Sequence, residues 1–299
     1  MSQPVSLLAA ALLSALVLTS PAEPQPDAPV AVTLRENIPY GSPADSELLL
    51  DIYSPADLGA PLHPAVLLIH GGSWSSLDKS TMSGMGKFLA HHGFVAFSVD
   101  YRLFHGTQNR WPAQLDDVQR AVRWVRANAP KYGVDPERIG SFGHSAGAQL
   151  AALLGMEDTR DNSDPTLAKY SSRVQAVVEV SGPTDLTTVG NDPDGLAFLA
   201  NFFGTSHSKH QEVWRDASPA FQVSKHKNEL APFLIVHGSQ DPDVPISQAQ
   251  ELFKKLKSAG ATVSFVKVND VHTFQTPEAR RQLATETLAF FDRYLAASR

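Results

Sequence analysis

Arg138-Ile-Gly-Ser-Phe-Gly-His-Ser145-Ala-Gly-Ala-Gln-Leu-Ala-Ala-Leu-Leu154 is the stretch that decides the fold. Arg138 to Phe142 reads as a strand, and Gln149 to Leu154 reads as a helix. Between them Gly143-His-Ser-Ala-Gly147 has the form G-x-S-x-G. The pattern alone is weak; its place between a strand and a helix sharpens it. A serine at a tight strand-to-helix turn is held in a strained conformation with its Oγ clear of the backbone. Flanking glycines avoid collisions with the neighbouring strand and helix. The free N–H groups of the helix start then face developing negative charge. The bland alternative is a Gly/Ser turn after a strand.

Strands and helices alternate on both sides of this turn. Ala65 to Ile69 is a short continuous apolar run, and Phe94–Val99, Val174–Val180, Phe233–Val236 and Val263–Val268 read the same way. Continuous runs suit strands buried on both faces, as in a parallel sheet. Trp111 to Ala129 places Leu115, Val118, Ala121, Val122 and Val125 on one helical face. Ile246–Leu256 and Ala279–Leu295 repeat that spacing. Val32–Leu34 and Leu48–Tyr53, parted by a turn at Gly41 to Pro43, form a plausible hairpin. The expected class is α/β: a mostly parallel central sheet flanked by helices. From Gly182 to Pro219 the rhythm breaks, and a cap-like insertion is expected over about 183–219.

His70-Gly-Gly-Ser-Trp74 follows the strand ending at Ile69 directly. Its glycines let the backbone approach a ligand. The N–H groups of Gly72 and Ser73, with Gly71 a lesser candidate, join that of Ala146 as an expected oxyanion hole. His70 is expected to fix this loop. Ser145 needs a base and a group to orient it. His272 and Asp241 lie just past the strands Val263–Val268 and Phe233–Val236, at strand C-terminal ends where parallel sheets gather their sites. Asp243 is the alternative carboxylate to Asp241. The order Ser145, Asp241, His272 is the one expected for this turn architecture. Trp74 is a candidate pocket wall. Phe202, Phe203 and Trp214 either line a substrate pocket or hold the cap on the core.

These residues together resemble the α/β-hydrolase superfamily, in its bacterial esterase/lipase branch with an H-G-G-x-W loop. The branch includes feruloyl- and acetylxylan-esterase-like members and is similar to hormone-sensitive-lipase-like carboxylesterases. The resemblance runs from about Glu36 to the end. It takes in Asp100-Tyr-Arg-Leu103, Trp111 to Asp117, Asp135-Pro-Glu-Arg-Ile139, Gly182-Pro-Thr-Asp185 and Ala217-Ser-Pro219. It implies a serine nucleophile, an Asp–His pair and hydrolysis of carboxylic esters such as short-chain, aryl, feruloyl or acetyl esters. Two positions depart from the branch: Ala148 stands where a glycine is usual, and Asn269-Asp-Val-His272 replaces a Gly-x-Gly-His loop. Amide cleavage, as by an aryl-formamidase or short-peptide hydrolase, is the alternative on the same triad. A non-catalytic binding protein on this scaffold is a third reading.

Composition sets the outer bounds. A chain of 299 residues can remove about 75% of its unfolded surface from water. Its 25 basic and 31 acidic residues leave a net charge of -6, which argues against a nucleic-acid partner. The absence of cysteine removes disulfides, thiolate metal sites and cysteine nucleophiles. No metal is expected, because His91-His92 and His207…His210 lack a carboxylate to complete a ligand set. Gly84-Met-Gly86 lacks the third glycine of a dinucleotide loop, so no cofactor is expected either. Asp116 and Asp117 read as solvated, or as aiding the start of their helix. Val5–Thr19 is an apolar run too short to span a bilayer core of about 20 residues. Residues 1–22 are expected to be a cleaved signal, with an anchor or a buried helix as alternatives. Pro24, Pro26 and Pro29 make 23–31 a stiff linker. The expected protein is then a secreted or periplasmic domain over 32–299. It acts on a small-molecule ester without stable membrane insertion, and its oligomeric state is open.

Overall fold

The computed structural model describes residues 31–43, 46–189 and 193–295. The expected signal segment, and the expected linker except Ala31, lie outside these described residues. Eight strands form one sheet: β1 (Val32–Gly41), β2 (Leu48–Pro55), β3 (His63–Ile69), β4 (Val95–Val99), β5 (Val134–His144), β6 (Ala176–Val180), β7 (Phe233–Gly238) and β8 (Val263–Val268). Their order is β1-β2-β4-β3-β5-β6-β7-β8. The expected hairpin β1–β2 is antiparallel, as is β2–β4; every other neighbouring pair is parallel.

Eight α-helices accompany the sheet among the described residues: α1 (Ser83–His91), α2 (Ala113–Asn128), α3 (Ala146–Leu154), α4 (Pro193–Phe203), α5 (Gln211–Asp216), α6 (Pro219–Lys225), α7 (Ser247–Ser258) and α8 (Pro277–Leu295). Successive strand side chains point to opposite faces. Leu67, Ile69, Val177 and Ile235 therefore pack toward α2, α3 and α7, while Val66, Leu68, Val178 and Val236 pack toward α1 and α8. Cover on both faces explains why the central strands read as unbroken apolar runs. On α2 the stripe Leu115, Val118, Ala121, Val122 and Val125 is buried, and each full Val or Leu burial is worth about 1.5–3 kcal/mol.

Two expectations need correction, and one helix lies outside them. In β8 only Val268 is buried, because no described strand lies beyond it; it is an edge strand, not one covered on both faces. Helix α1 goes beyond the sequence reading, which takes Gly84-Met-Gly86 only as an incomplete dinucleotide loop; the two glycines lower helix propensity by about 1 kcal/mol each. Gly86 is required there: a Cβ on it would sit 2.5 Å from the Tyr53 ring, so the helix lies hard against β2. Asp117 is not solvated. It is buried and holds Arg102 through the guanidinium Nε at 2.9 and 3.0 Å and the terminal nitrogen at 2.7 Å. Adjacent helical positions diverge, and Asp116 turns instead toward Arg160.

No helix among the described residues is long and apolar enough to cross a membrane. The broken stretch between β6 and β7 holds α4, α5 and α6. Val189, Gly195, Phe198 and Leu199 of this insertion wall a cavity at the C-terminal end of the parallel strands.

Candidate active site

Ser145 stands between β5 and α3 with φ 56° and ψ -123°. This left-handed backbone is rare for a residue with a side chain and is a strained one. The flanking glycines are steric necessities. A Cβ on Gly143 would lie 2.1 Å from the Gly147 carbonyl oxygen, and one on Gly147 would lie 2.2 Å from that of Ile69. Two glycines therefore let strand, turn and helix touch, and the turn raises Ser145 into a cavity of about 500 Å³.

Gly72, Ser73, Trp74 and Ala146 line the same cavity. Gly72, Ser73 and Trp74 all have positive φ, at 97°, 50° and 59°. The N–H groups of Gly72, Ser73 and Ala146 have no protein partner among the described residues. Gly71 packs behind: a Cβ there would be 3.1 Å from Ser145 Cβ, and the residue faces a second cavity instead. His70 is buried, stacks on Tyr101 at 4.3 Å between centroids, and bonds through Nδ1 to the Gly71 carbonyl at 2.8 Å. Tyr101 OH donates to the carbonyls of both His70 and Gly71 at 3.1 Å. His70 thus braces the loop, as its position suggested.

On the other side of the cavity, His272 Nδ1 donates to Asp241 Oδ2 at 2.7 Å. This leaves Nε2 as the basic nitrogen of the neutral ring, and His272 lines the cavity with Ser145. Ser145 Oγ makes no direct hydrogen bond to His272 here; such contacts commonly tighten only with substrate bound. Asp241, not Asp243, is the bonded carboxylate. Asp243 instead donates its backbone N–H to Asp241 Oδ1 at 2.9 Å, as does Val244. Burial alone would raise the Asp241 carboxyl. Hydrogen bonds from His237, His272 and the Val244 N–H outweigh it and hold the group well below the usual carboxylate range. Oxygen and nitrogen atoms of Asp241, Asp243 and His272 lie within 4.8 Å of one another, close enough to hold a cation.

Several residues of this side were not read from the sequence. His144 is half-buried and bonds through Nε2 to the His272 carbonyl at 2.9 Å; loss of solvent around the ring pushes its pKa down to about 4, so it stays neutral. His237 bonds through Nε2 to the Val244 carbonyl at 2.9 Å and reaches Asp241 Oδ2 at 3.4 Å. Behind it, Glu179, Ser181 and His237 are all 0% exposed. Glu179 of β6, Ser181 just past its end and His237 of β7 lie on one face of the sheet, and Glu179 Oε2, Ser181 Oγ and His237 Nδ1 have no partner among the described residues. Burial raises Glu179 to about 7. The available signal was a glutamate interrupting the apolar run Ala176–Val180. Asp270, within the departing Asn269–His272 loop, accepts from the Thr276 hydroxyl at 2.6 Å and N–H at 2.8 Å, which stiffens that loop.

The aromatic expectations divide. Trp74 lines the cavity, stacks on Phe202 at 4.9 Å and donates Nε1 to Gln149 Oε1 at 3.0 Å. Phe202, Phe203 and Trp214 are buried in the core and do not line this cavity. Phe202 packs against Trp74 and Phe104, and Phe203 against Trp214, so these rings hold the cap down. Phe198 and Phe202, four residues apart, share one face of α4; the cavity reaches only the turn that carries Phe198 and Leu199, and one turn further on Phe202 is covered by Trp74 and Phe104.

Strand order, the strained serine and the paired histidine and aspartate at strand ends define an α/β-hydrolase. Among solved structures, a truncated carbohydrate esterase from gut microbiota superposes with TM-score 0.75 at 26% identity, over 91% of this chain and 99% of that one. The butyrate-bound esterase Est2 of Thermogutta terrifontis gives 0.74 at 26% identity, over 91% and 97%. The chain belongs to the BD-FAE family, whose family model matches residues 50–256. Esterase LipQ of Mycobacterium tuberculosis is 34% identical over 79% of this chain and 56% of its own length. The chain spans about half the length of the curated relatives it matches.

Proposed function

We propose that this protein is a serine hydrolase that cleaves carboxylic esters through an acyl-enzyme. Ser145 Oγ attacks the ester carbonyl while His272 Nε2 takes its proton. Asp241 holds the ring tautomer and stabilises the imidazolium. The oxyanion sits against the N–H groups of Gly72, Ser73 and Ala146. His272 then gives its proton to the leaving alcohol, and water repeats the cycle on the acyl-enzyme, releasing the acid. One observation carries the reading: a strained serine shares a cavity with an aspartate-bonded histidine and with three N–H groups lacking partners among the described residues. The names of LipQ as an esterase and of Est2 as a butyrate-binding esterase support the ester over the amide.

The test is covalent labelling by a fluorophosphonate, read by mass spectrometry, beside turnover of p-nitrophenyl acetate. Labelling at Ser145, and loss of turnover in Ser145→Ala with the fold retained, are expected. Activity retained in that variant would place the nucleophile elsewhere. Export is part of the same proposal, supported by the uncharged apolar run Val5–Thr19 and by Ser20-Pro21-Ala22. Protein recovered outside the cytoplasm should begin at Glu23; an intact Met1 on exported protein would overturn cleavage.

A further inference from the structure

Beside the cavity over Ser145 lies a second one of about 610 Å³, between α1 and α8. Its walls are largely apolar: Met82, Met85, Phe88, Phe142, Phe274 and Leu283. The two cavities meet at Leu77, His144 and Thr273, which line both. Thr273 follows His272 in the chain, so the second cavity begins on the histidine's side of the serine. Leu77 forms the lip. It is 54% exposed and has φ 67°. A leucine in the left-handed region is strained, and such strain tends to persist where it serves a site. Here it presents an apolar side chain to solvent where the two cavities join, and none of the machinery described above uses it.

We propose that the second cavity receives the alcohol half of the ester, an extended apolar alcohol of medium chain length laid across Leu77. The inference rests on the ester-hydrolase reading and names the substrate class of that site. Proton delivery sets the direction. The leaving oxygen must come within hydrogen-bond reach of the His272 nitrogen that protonates it. The alcohol therefore extends along the His272–Thr273 side, and the wall of Pro183, Val189, Phe198 and Leu199 is left to the acyl group. Arg280, which also lines the second cavity, donates Nε to the Phe274 carbonyl at 2.7 Å and so fixes the far rim. Each methylene buried there strengthens binding about fourfold when fully removed from water, so partial burial of a hexyl chain suffices for a large preference.

The experiment holds the acyl group at acetyl and varies the alcohol. The kcat/KM for hexyl acetate is expected to exceed that for ethyl acetate by at least about tenfold, as burial of a few methylenes requires. Gly84→Phe is the blocking variant: Gly84 lines the cavity, and a Cβ added there meets nothing within 4 Å. Removing a helical glycine also favours α1. The hexyl-to-ethyl ratio is expected to fall below about threefold, less than one buried methylene is worth. Leu283→Trp blocks from the opposite wall and should lower the ratio in the same way. A wild-type enzyme labelled at Ser145 but indifferent to alcohol length overturns this inference alone, and so does a ratio untouched in both variants. No turnover of any ester together with no labelling brings down the parent reading and this one with it.

Discussion

The two sides of the cavity are held in place by different physics. The serine and oxyanion side is fixed by backbone sterics. Gly143 and Gly147 leave room for nothing more than hydrogen, and Gly72, Ser73 and Trp74 are bent into the left-handed region. The histidine side is fixed by buried side-chain hydrogen bonds and charges running from Glu179 and His237 through Asp241 to His272, with His144 and Asp270 as braces. The first side should fail when atoms are added. The second should fail when polar partners are removed. Single substitutions can tell the two designs apart.

The largest effect is expected from addition. In Gly147→Ala the new methyl would sit 2.2 Å from the Ile69 carbonyl oxygen and 2.4 Å from that of His70. Backbone must move, at roughly 1–3 kcal/mol or more, and Ser145 moves with it. Turnover of p-nitrophenyl acetate should vanish and the denaturation midpoint should drop. Normal activity would show that the turn tolerates the shift, and that the steric account of this side is wrong.

Next comes removal on the other side. Asp241→Asn keeps the size of the side chain but offers an amide to His272 Nδ1, which favours the wrong tautomer. A loss of about 10⁴-fold in kcat is the scale for this change in a serine triad, with circular dichroism unchanged. A loss of about tenfold or less, far below that scale, would mean that Asp243 or another group takes over.

This contrast explains what was legible in the sequence. The Gly143 clash is with the Gly147 carbonyl four residues on, so it leaves a pattern in consecutive letters, whereas the Gly147 clash with Ile69 and His70 exists only because β3 pairs with β5. The order Ser145, Asp241, His272 is legible because each follows a strand. Glu179 and His237 meet only because β6 and β7 pair in one register, and no local spacing encodes that. Whether Phe202 and Phe203 line the pocket or hold the cap is not legible in adjacent letters, because it depends on how far along α4 the cavity reaches, and it reaches only the earlier turn with Phe198 and Leu199. Asp117 looked solvated because its partner, Arg102, comes from the segment after β4.

Glu179→Gln tests the buried pair with a signed pH effect. In the folded protein burial raises Glu179 from 4.5 to about 7. Between those values the folded state holds a proton that the unfolded state has released, so this group's contribution to stability falls as pH rises through that window. Glutamine removes the charge and with it this penalty. The variant should therefore be more stable than wild type at about pH 8, by roughly 1–3 kcal/mol, and the gain should shrink toward about pH 5. Thermal melts at both values check it. The kcat/KM should nonetheless fall, by far less than in Asp241→Asn, because a neutral amide cannot stand as an anion against His237. A stability gain of equal size at both pH values would rule out titration as its cause.

The smallest activity change is expected from removal on the steric side. Trp74→Phe keeps an aromatic ring for Phe202 to stack on but deletes the Nε1 bond to Gln149. Gln149 is buried, and its Oε1 would lose its partner, costing about 1–3 kcal/mol of stability. Urea unfolding should show that cost. Activity should change little, because the N–H groups of Gly72 and Ser73 are aimed by their own backbone torsions and not by the indole. If this variant loses more activity than Glu179→Gln, the oxyanion loop depends on side-chain hydrogen bonds as well. The two sides of the cavity would then be built alike.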